Sequence, residues 1–165
     1  MKIFLINTDL EHETLRDFIN FYNSTDESEY VQIIIKSGGG YCYVADEILD
    51  IINSDPERFT LIATRWIYSS AFDLFMKAKC KRILKPNTVG MIHEALHDIT
   101  FSLNGRSHPE TKVLQEAYKS NLKEDMDYLT NFLKLSKQEI KDYNNQKDVY
   151  FNHTRLLEIL NNTNQ

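Results

Sequence analysis

Three short stretches carry residues that can do chemistry. Ile33-Ile34-Ile35-Lys36-Ser37-Gly38-Gly39-Gly40 sets three of the chain's five glycines directly after a β-branched run. A bend without Cβ atoms lets backbone N–H groups close on something negative, either a phosphate or an oxyanion formed during catalysis. The phosphate reading is weak. The Walker pattern needs Lys-Ser or Lys-Thr after its last glycine, but here Lys36-Ser37 come first, and G-x-G-x-x-G is absent. A plain strand-to-helix turn is the competing reading. The second stretch, His93-Glu94-Ala95-Leu96-His97, is a literal H-E-x-x-H. On a helix it would put both imidazoles on one face for zinc, with Glu94 as general base. Its surroundings argue against a helix: Gly90 precedes it and Ile99-Thr100-Phe101 follows with strand alternation. Nothing singles out His108, Glu110 or Glu116 as a third ligand. The third stretch is Ser69-Ser70, with His93 as a base. A serine nucleophile needs that base within hydrogen-bond reach and an acceptor to orient it. The bland alternative is two serines capping a helix and a histidine satisfied in the core.

The elements that must position these groups follow from periodicity. Residues 2–6 read as a strand and 11–22 as a helix with Leu15, Phe18, Ile19 and Tyr22 on one face. Val31 to Ile35 reads as a strand buried on both faces, since its apolar residues do not alternate. Val44, Ile48, Leu49, Ile51 and Ile52 mark a second helix that ends near Asn53-Ser54-Asp55-Pro56. Phe59 to Ala63 is a strand, Ser69 to Ala78 a helix, and Arg82 to Leu84 a short strand. Strand and helix in alternation imply βαβ units and a parallel sheet.

The second half changes character. Ile99, Phe101 and Leu103 alternate with polar residues before an Asn104-Gly105 turn. Ser107-x-x-Glu110, with Pro109 in the first turn, caps a long helix striped by Leu114, Tyr118, Leu122, Met126, Leu129 and Leu133. Its charged residues make either a solvated face or the rim of an interaction edge in an oligomer. A second capping box, Ser136-x-x-Glu139, starts a short helix.

Composition limits the rest. A chain of 165 residues, 42% hydrophobic, suits one folded domain. A net charge of −5 argues against general nucleic-acid binding and against an anionic membrane surface. The apolar run Ile3-Phe4-Leu5-Ile6 is too short for a signal peptide, and no span reaches transmembrane length. Cys42 and Cys80, without metal-type spacing, fit a reduced cytoplasmic protein.

These pieces, in this order, resemble the Clp protease proteolytic subunits, ATP-dependent serine peptidases of the ClpP/crotonase superfamily. Ile35-Lys36-Ser37-Gly38-Gly39-Gly40 is similar to the family's I-N-S-P-G-G turn. Lys81-Arg82, Pro86-Asn87 and Met91-Ile92-His93 are similar to its K-R…P-N…M-I-H run. The capped helix resembles the "handle" that joins two rings, and Lys147-Asp148-Val149-Tyr150-Phe151 resembles the segment after it. The resemblance implies an α/β ClpP/crotonase-like spiral of βαβ units with a protruding handle: a head at about 1–106, a handle at about 107–135 and a C-terminal segment at 136–165. It implies Gly39 and Gly40 as oxyanion donors and His93 as general base, with Glu94 and His97 incidental. It implies no cofactor and a homo-oligomer, two heptameric rings stacked as a tetradecamer.

The departures set the expected activity. The family's nucleophile lies in A-A-S-M-G-A-F. Without gaps, Tyr68 takes the serine position, and Ser69 and Ser70 follow it. Moving the register by one would put Ser69 there, but a deletion within a helix turns later side chains by about 100°. The ungapped reading is therefore preferred. A phenol with a pKa of about 10 is a poor replacement for an activated serine. Tyr143 takes the family's Asp position, with Asp142 adjacent, and brings no fixed charge. Loss of that charge alone costs about 10⁴ in rate in a serine protease template. The expectation is a ring-forming homologue with impaired or absent peptidase activity; the alternatives are a serine endopeptidase using Ser69 or Ser70 with His93, and a zinc hydrolase. The chain begins almost at the strand that, in the family, follows axial loops which contact the unfoldase, so docking to a Clp ATPase is not expected. A trimmed, diverged copy suits a phage or other mobile element, with a host Clp subunit as a partner.

Overall fold

The computed structural model describes residues 1–94 and 124–163. The strand expected at 99–103, the start of the long helix, and His97 lie outside them. The chain divides into two compact units, Met1–Ile92 with Asp148–Gln165, and His93–Lys147.

The first unit is a βαβ spiral. Its described elements are β1 (Lys2–Ile6), α1 (His12–Asn23), β2 (Val31–Ser37), α2 (Cys42–Ser54), β3 (Phe59–Tyr68), α3 (Ser70–Lys77), β4 (Lys81–Leu84) and β5 (Val89–Ile92). The strand β6 (Val149–Phe151) and a C-terminal helix (His153–Thr163) complete it. The six strands form one sheet in the order β1-β2-β3-β5-β6, with β4 also paired to β3. All pairings are parallel except β5–β6, which is antiparallel, so the all-parallel expectation fails at that edge.

The core lies on one face of the sheet. Phe18, Ile33, Ile35, Ile48, Ile52, Leu61, Phe72, Phe75 and Phe151 are fully buried there. Burying one such phenylalanine stabilises the fold by about 2–3 kcal/mol. The two-faced burial expected of β2 does not hold. Val31, Ile33, Ile35 and Ser37 are buried, whereas Gln32, Ile34 and Lys36 are only half-buried. The reason is the neighbouring edge strand, whose Ile3 and Leu5 are 50% and 56% exposed on that same side.

β3 runs past Ala63, where its apolar run breaks, and this extension positions the site. Ile35 pairs with Ala63, but Ser37 pairs with Ile67, so β3 carries two extra residues over the same span. Arg65, at φ 60°, sits in that bulge. The first half of β3 then pairs with β4 and the second half with β5. Buried Thr88 closes the bend by donating its hydroxyl to Lys85 O at 2.7 Å and to Ala63 O at 3.3 Å.

In the second unit, residues 124–127 are helical and lead into a π-helical turn, Tyr128–Phe132. The end of this helix is sharp. Lys134 adopts φ 52°, Leu133 N–H donates to Tyr128 O, and Leu135 N–H donates to Leu129 O. A left-handed residue with a six-residue return bond is a Schellman-like stop, which ends the helix slightly before the expected residue 135. Leu129 and Leu133 are buried, as their stripe predicts. The helix α4 (Lys137–Asn144) starts at the expected box: Ser136 Oγ accepts from Glu139 N–H at 3.2 Å and Glu139 accepts from Ser136 N–H.

Candidate active site

The glycine turn is built from its outer edge inward. Leu10 N–H donates to Gly39 O at 2.6 Å, and Tyr41 N–H donates to Leu10 O at 2.8 Å. In a trans peptide the C=O and N–H point opposite ways. Gly39 O faces Leu10, so the N–H of Gly40 in the same peptide plane faces away from it. Tyr41 N–H faces Leu10, so Gly40 O also faces away. Ser70 lies on that inner side, and its Oγ donates to Gly40 O at 3.1 Å. Gly39 N–H is taken up by the hydroxyl of buried Ser37 at 3.1 Å. Of the two glycines expected to hold an oxyanion, Gly40 is thus the one whose N–H turns inward.

The glycines are needed for steric reasons. Gly39 has φ 101°, and a Cβ on it would stand 2.7 Å from Ser69 Cβ and 2.8 Å from Tyr68 O. Gly40 has φ 140°, and a Cβ there would stand 2.4 Å from Leu10 O. The turn is packed directly against Ser69.

Ser69 stands between β3 and α3 with φ 53° and ψ −130°, a region that residues with a Cβ rarely occupy. Such a conformation costs on the order of 1–3 kcal/mol and persists only where surrounding bonds hold it. Here Ser69 N–H donates to Met91 O at 2.8 Å, and Ser69 O accepts from Phe72 N–H and Asp73 N–H. The result is a sharp strand-to-helix elbow, the backbone shape that lifts a serine hydroxyl out of a sheet. Ser70 is the first residue of α3, where backbone N–H groups have no partner within the helix and the helix dipole is positive. The residue is 2% exposed, and its hydroxyl donates to Gly40 O. Tyr68, the last residue of β3, is half-buried and meets Tyr150 edge-on at 5.9 Å.

The remaining expected residues belong to the second unit. His93 and Glu94 directly follow β5 in non-helical chain, so the helix that H-E-x-x-H requires is not present at its first two residues. Among the described residues no three His, Cys, Asp or Glu side chains cluster as metal ligands. Asp142 and Tyr143 lie near the end of α4, both half-buried. Asp142 accepts from Gln138 Nε2 at 2.9 Å and from Lys147 Nζ at 3.0 Å. The Gln138 bond, then Lys147, holds its carboxyl below the usual carboxylate range.

The structure thus gathers Tyr68, Ser69, Ser70, Gly39 and Gly40 in one unit and leaves His93, Asp142 and Tyr143 in the other. Sequence reasoning missed Leu10, Met91 and Ser37, which act through backbone groups or a buried hydroxyl. Only Ser37 gave a signal, by preceding the glycines.

The fold and site can be set beside known proteins. No curated protein matches the chain. A ClpP1 point mutant from Listeria monocytogenes matches with TM-score 0.68 and 20% identity, over 95% of this chain and 86% of that one. A peptidase from Plasmodium falciparum matches with TM-score 0.69 and 14% identity, over 96% of this chain and 91% of that one. At these identities the likeness is one of fold. The sequence itself goes further, because the Clp protease family model matches residues 2–143, from β1 through the elbow to α4, and the chain therefore belongs to the Clp protease family.

Proposed function

We propose that this chain is a ClpP-type serine peptidase subunit in which Ser69 is the nucleophile and His93 the general base. The observation that carries the reading is the elbow: Ser69, not Tyr68, has the strained backbone, and Ser69 is the residue against which Gly39 packs. A Tyr68 nucleophile is disfavoured by that residue's ordinary strand pairing with Met91 and by its ring contact with Tyr150. A Ser70 nucleophile is disfavoured by burial.

The steps follow. Ser69 Oγ attacks a peptide carbonyl carbon and its proton passes to His93. The tetrahedral oxyanion is held by the N–H groups of Gly40 and Ser70, each such donor contributing about 3 kcal/mol. The C–N bond breaks, the amine leaves with the proton from His93, and water returns through the same states to release the acid. Asp142 is engaged by Gln138 and Lys147, and Tyr143, at the position of the family's aspartate, carries no fixed charge, so turnover slower than that of an intact triad is expected. The family supports assembly as a homo-oligomer, here of stacked heptameric rings.

Fluorophosphonate labelling, read by intact mass and peptide mapping, tests the assignment. One adduct on Ser69 is expected, absent in Ser69→Ala, strongly slowed in His93→Ala and retained in Tyr68→Phe. An adduct on Tyr68 would refute the register. No adduct, with an active Clp peptidase labelled in parallel, would identify a subunit that assembles without hydrolysing.

A further inference from the structure

We propose that Ser70 is a positioning residue whose hydroxyl fixes the Gly40 peptide groups, so that the Gly40 N–H faces the carbonyl attacked at Ser69. The proposal rests on the Ser69 reading for its catalytic consequence but not for its structural one.

Three consecutive glycines make a poor rigid scaffold, because each has wide φ/ψ freedom. Oxyanion donors contribute most when they are already aimed. Something must therefore hold the strip. On its outer edge Leu10 does so with two backbone bonds, to Gly39 O and from Tyr41 N–H. On its inner edge the bond described is Ser70 Oγ to Gly40 O, at 3.1 Å. The peptide plane between Gly40 and Tyr41 is thus gripped from both sides, by Leu10 O and by the Ser70 hydroxyl. The Gly40 N–H lies in the preceding plane, which Leu10 N–H holds at Gly39 O. The two planes hinge at the Gly40 Cα, so fixing the second plane anchors the hinge on which the first turns. Ser70 is 2% exposed, so its hydroxyl has little water to bond in place of Gly40. With Ser69 at the serine position, the motif that this segment resembles has Met, without a hydroxyl, where this chain has Ser70. Ser70 would therefore act twice, through its backbone N–H toward the oxyanion and through its side chain on the second donor.

The test pairs Ser70→Ala with Ser70→Thr in the intact protein. Hydrogen exchange by mass spectrometry, over peptides spanning residues 8–12 and 38–43, reads the strip directly. The fluorophosphonate labelling rate reads its consequence. Ser70→Ala should speed exchange of the Tyr41 and Leu10 amides about fivefold and slow labelling about fivefold, the loss of one ordinary hydrogen bond. Ser70→Thr, which keeps the hydroxyl, should restore both. Exchange in β2 and β3 should stay unchanged, which shows that the fold is kept. Unchanged exchange at Leu10 and Tyr41 in Ser70→Ala overturns the proposal, as does a threonine variant no better than alanine on both readouts. If wild-type protein does not label while Ser70→Ala still loosens the strip, the nucleophile reading fails and the clamp stands.

Discussion

Position 143 is where a single substitution should raise the rate most visibly. A histidine base in a serine hydrolase works with a neighbouring acceptor that holds its ring and stabilises the imidazolium. Asp142 is nearby in sequence, but its carboxylate is bonded to Gln138 and Lys147. Returning a carboxylate to position 143 should therefore help. Tyr143→Asp is expected to raise the labelling rate and peptide turnover about tenfold or more, a fraction of the roughly 10⁴ that such a charge carries in an intact triad. Tyr143→Phe, which adds no charge, should give no such gain. Stopped-flow labelling of the three proteins decides it: an aspartate variant no faster than wild type would remove position 143 from the site. The same scale explains why the nucleophile was hard to read from sequence. Tyr68, Ser69 and Ser70 are consecutive, and a one-residue register choice moves the role from phenol to hydroxyl. The proposal for Ser69 draws on a backbone angle, which residue types do not encode.

At the scale of elements, the glycine strip makes the sharpest stability prediction. A Cβ at Gly40 would meet the Leu10 backbone, which cannot move without disrupting the bridge between the two segments. A Cβ at Gly38 would meet only Asp9 Oδ1, at 3.1 Å, the end of a side chain that can rotate. Gly40→Ala should therefore cost more than about 2 kcal/mol and abolish labelling, whereas Gly38→Ala should cost less than about 1 kcal/mol. Urea midpoints measure both, and equal losses would mean that the strip is not pinned as described. Much of this architecture was readable. The runs that became β1, β2 and α2 declared themselves by length and apolar period. The capping box at Ser136 gave the start of α4 to the residue. What was not readable depends on pairing. The extension of β3 to Tyr68 hides behind the bulge at Arg65, and β5 and β6 are too short to show a period. The antiparallel β6 joins β5 from more than 50 residues along the chain, about the hardest kind of contact to infer locally.

At the scale of the molecule, stability and assembly carry separate predictions. Cys80 is buried at the start of β4, and desolvation lifts its thiol from 9.0 to about 11. In the unfolded chain it ionises near its ordinary value, whereas in the folded chain it stays protonated. Its contribution is whole below that ordinary value and declines as pH rises toward about 11. Wild type should lose more stability than Cys80→Ala between about pH 8.5 and 10.5, by urea unfolding, and parallel slopes would reject this. Ile3 and Leu5 stand half-exposed on an edge strand beside half-buried Ile34, and Met1 and Tyr30 are 72% and 69% exposed at the same end of the pairing. A monomer would keep this apolar edge in water, where it invites association. A closed ring can cover it on every copy at once, with no end left to grow. Light scattering at micromolar concentration should give a mass of about 270 kDa, for fourteen chains of 19.4 kDa. Ile3→Asp with Leu5→Asp should lower that mass while leaving the far-UV spectrum intact, because both side chains point away from the buried face. A monomeric wild type would show that the exposed edge strand persists here without the ring, and any activity would then belong to the isolated subunit.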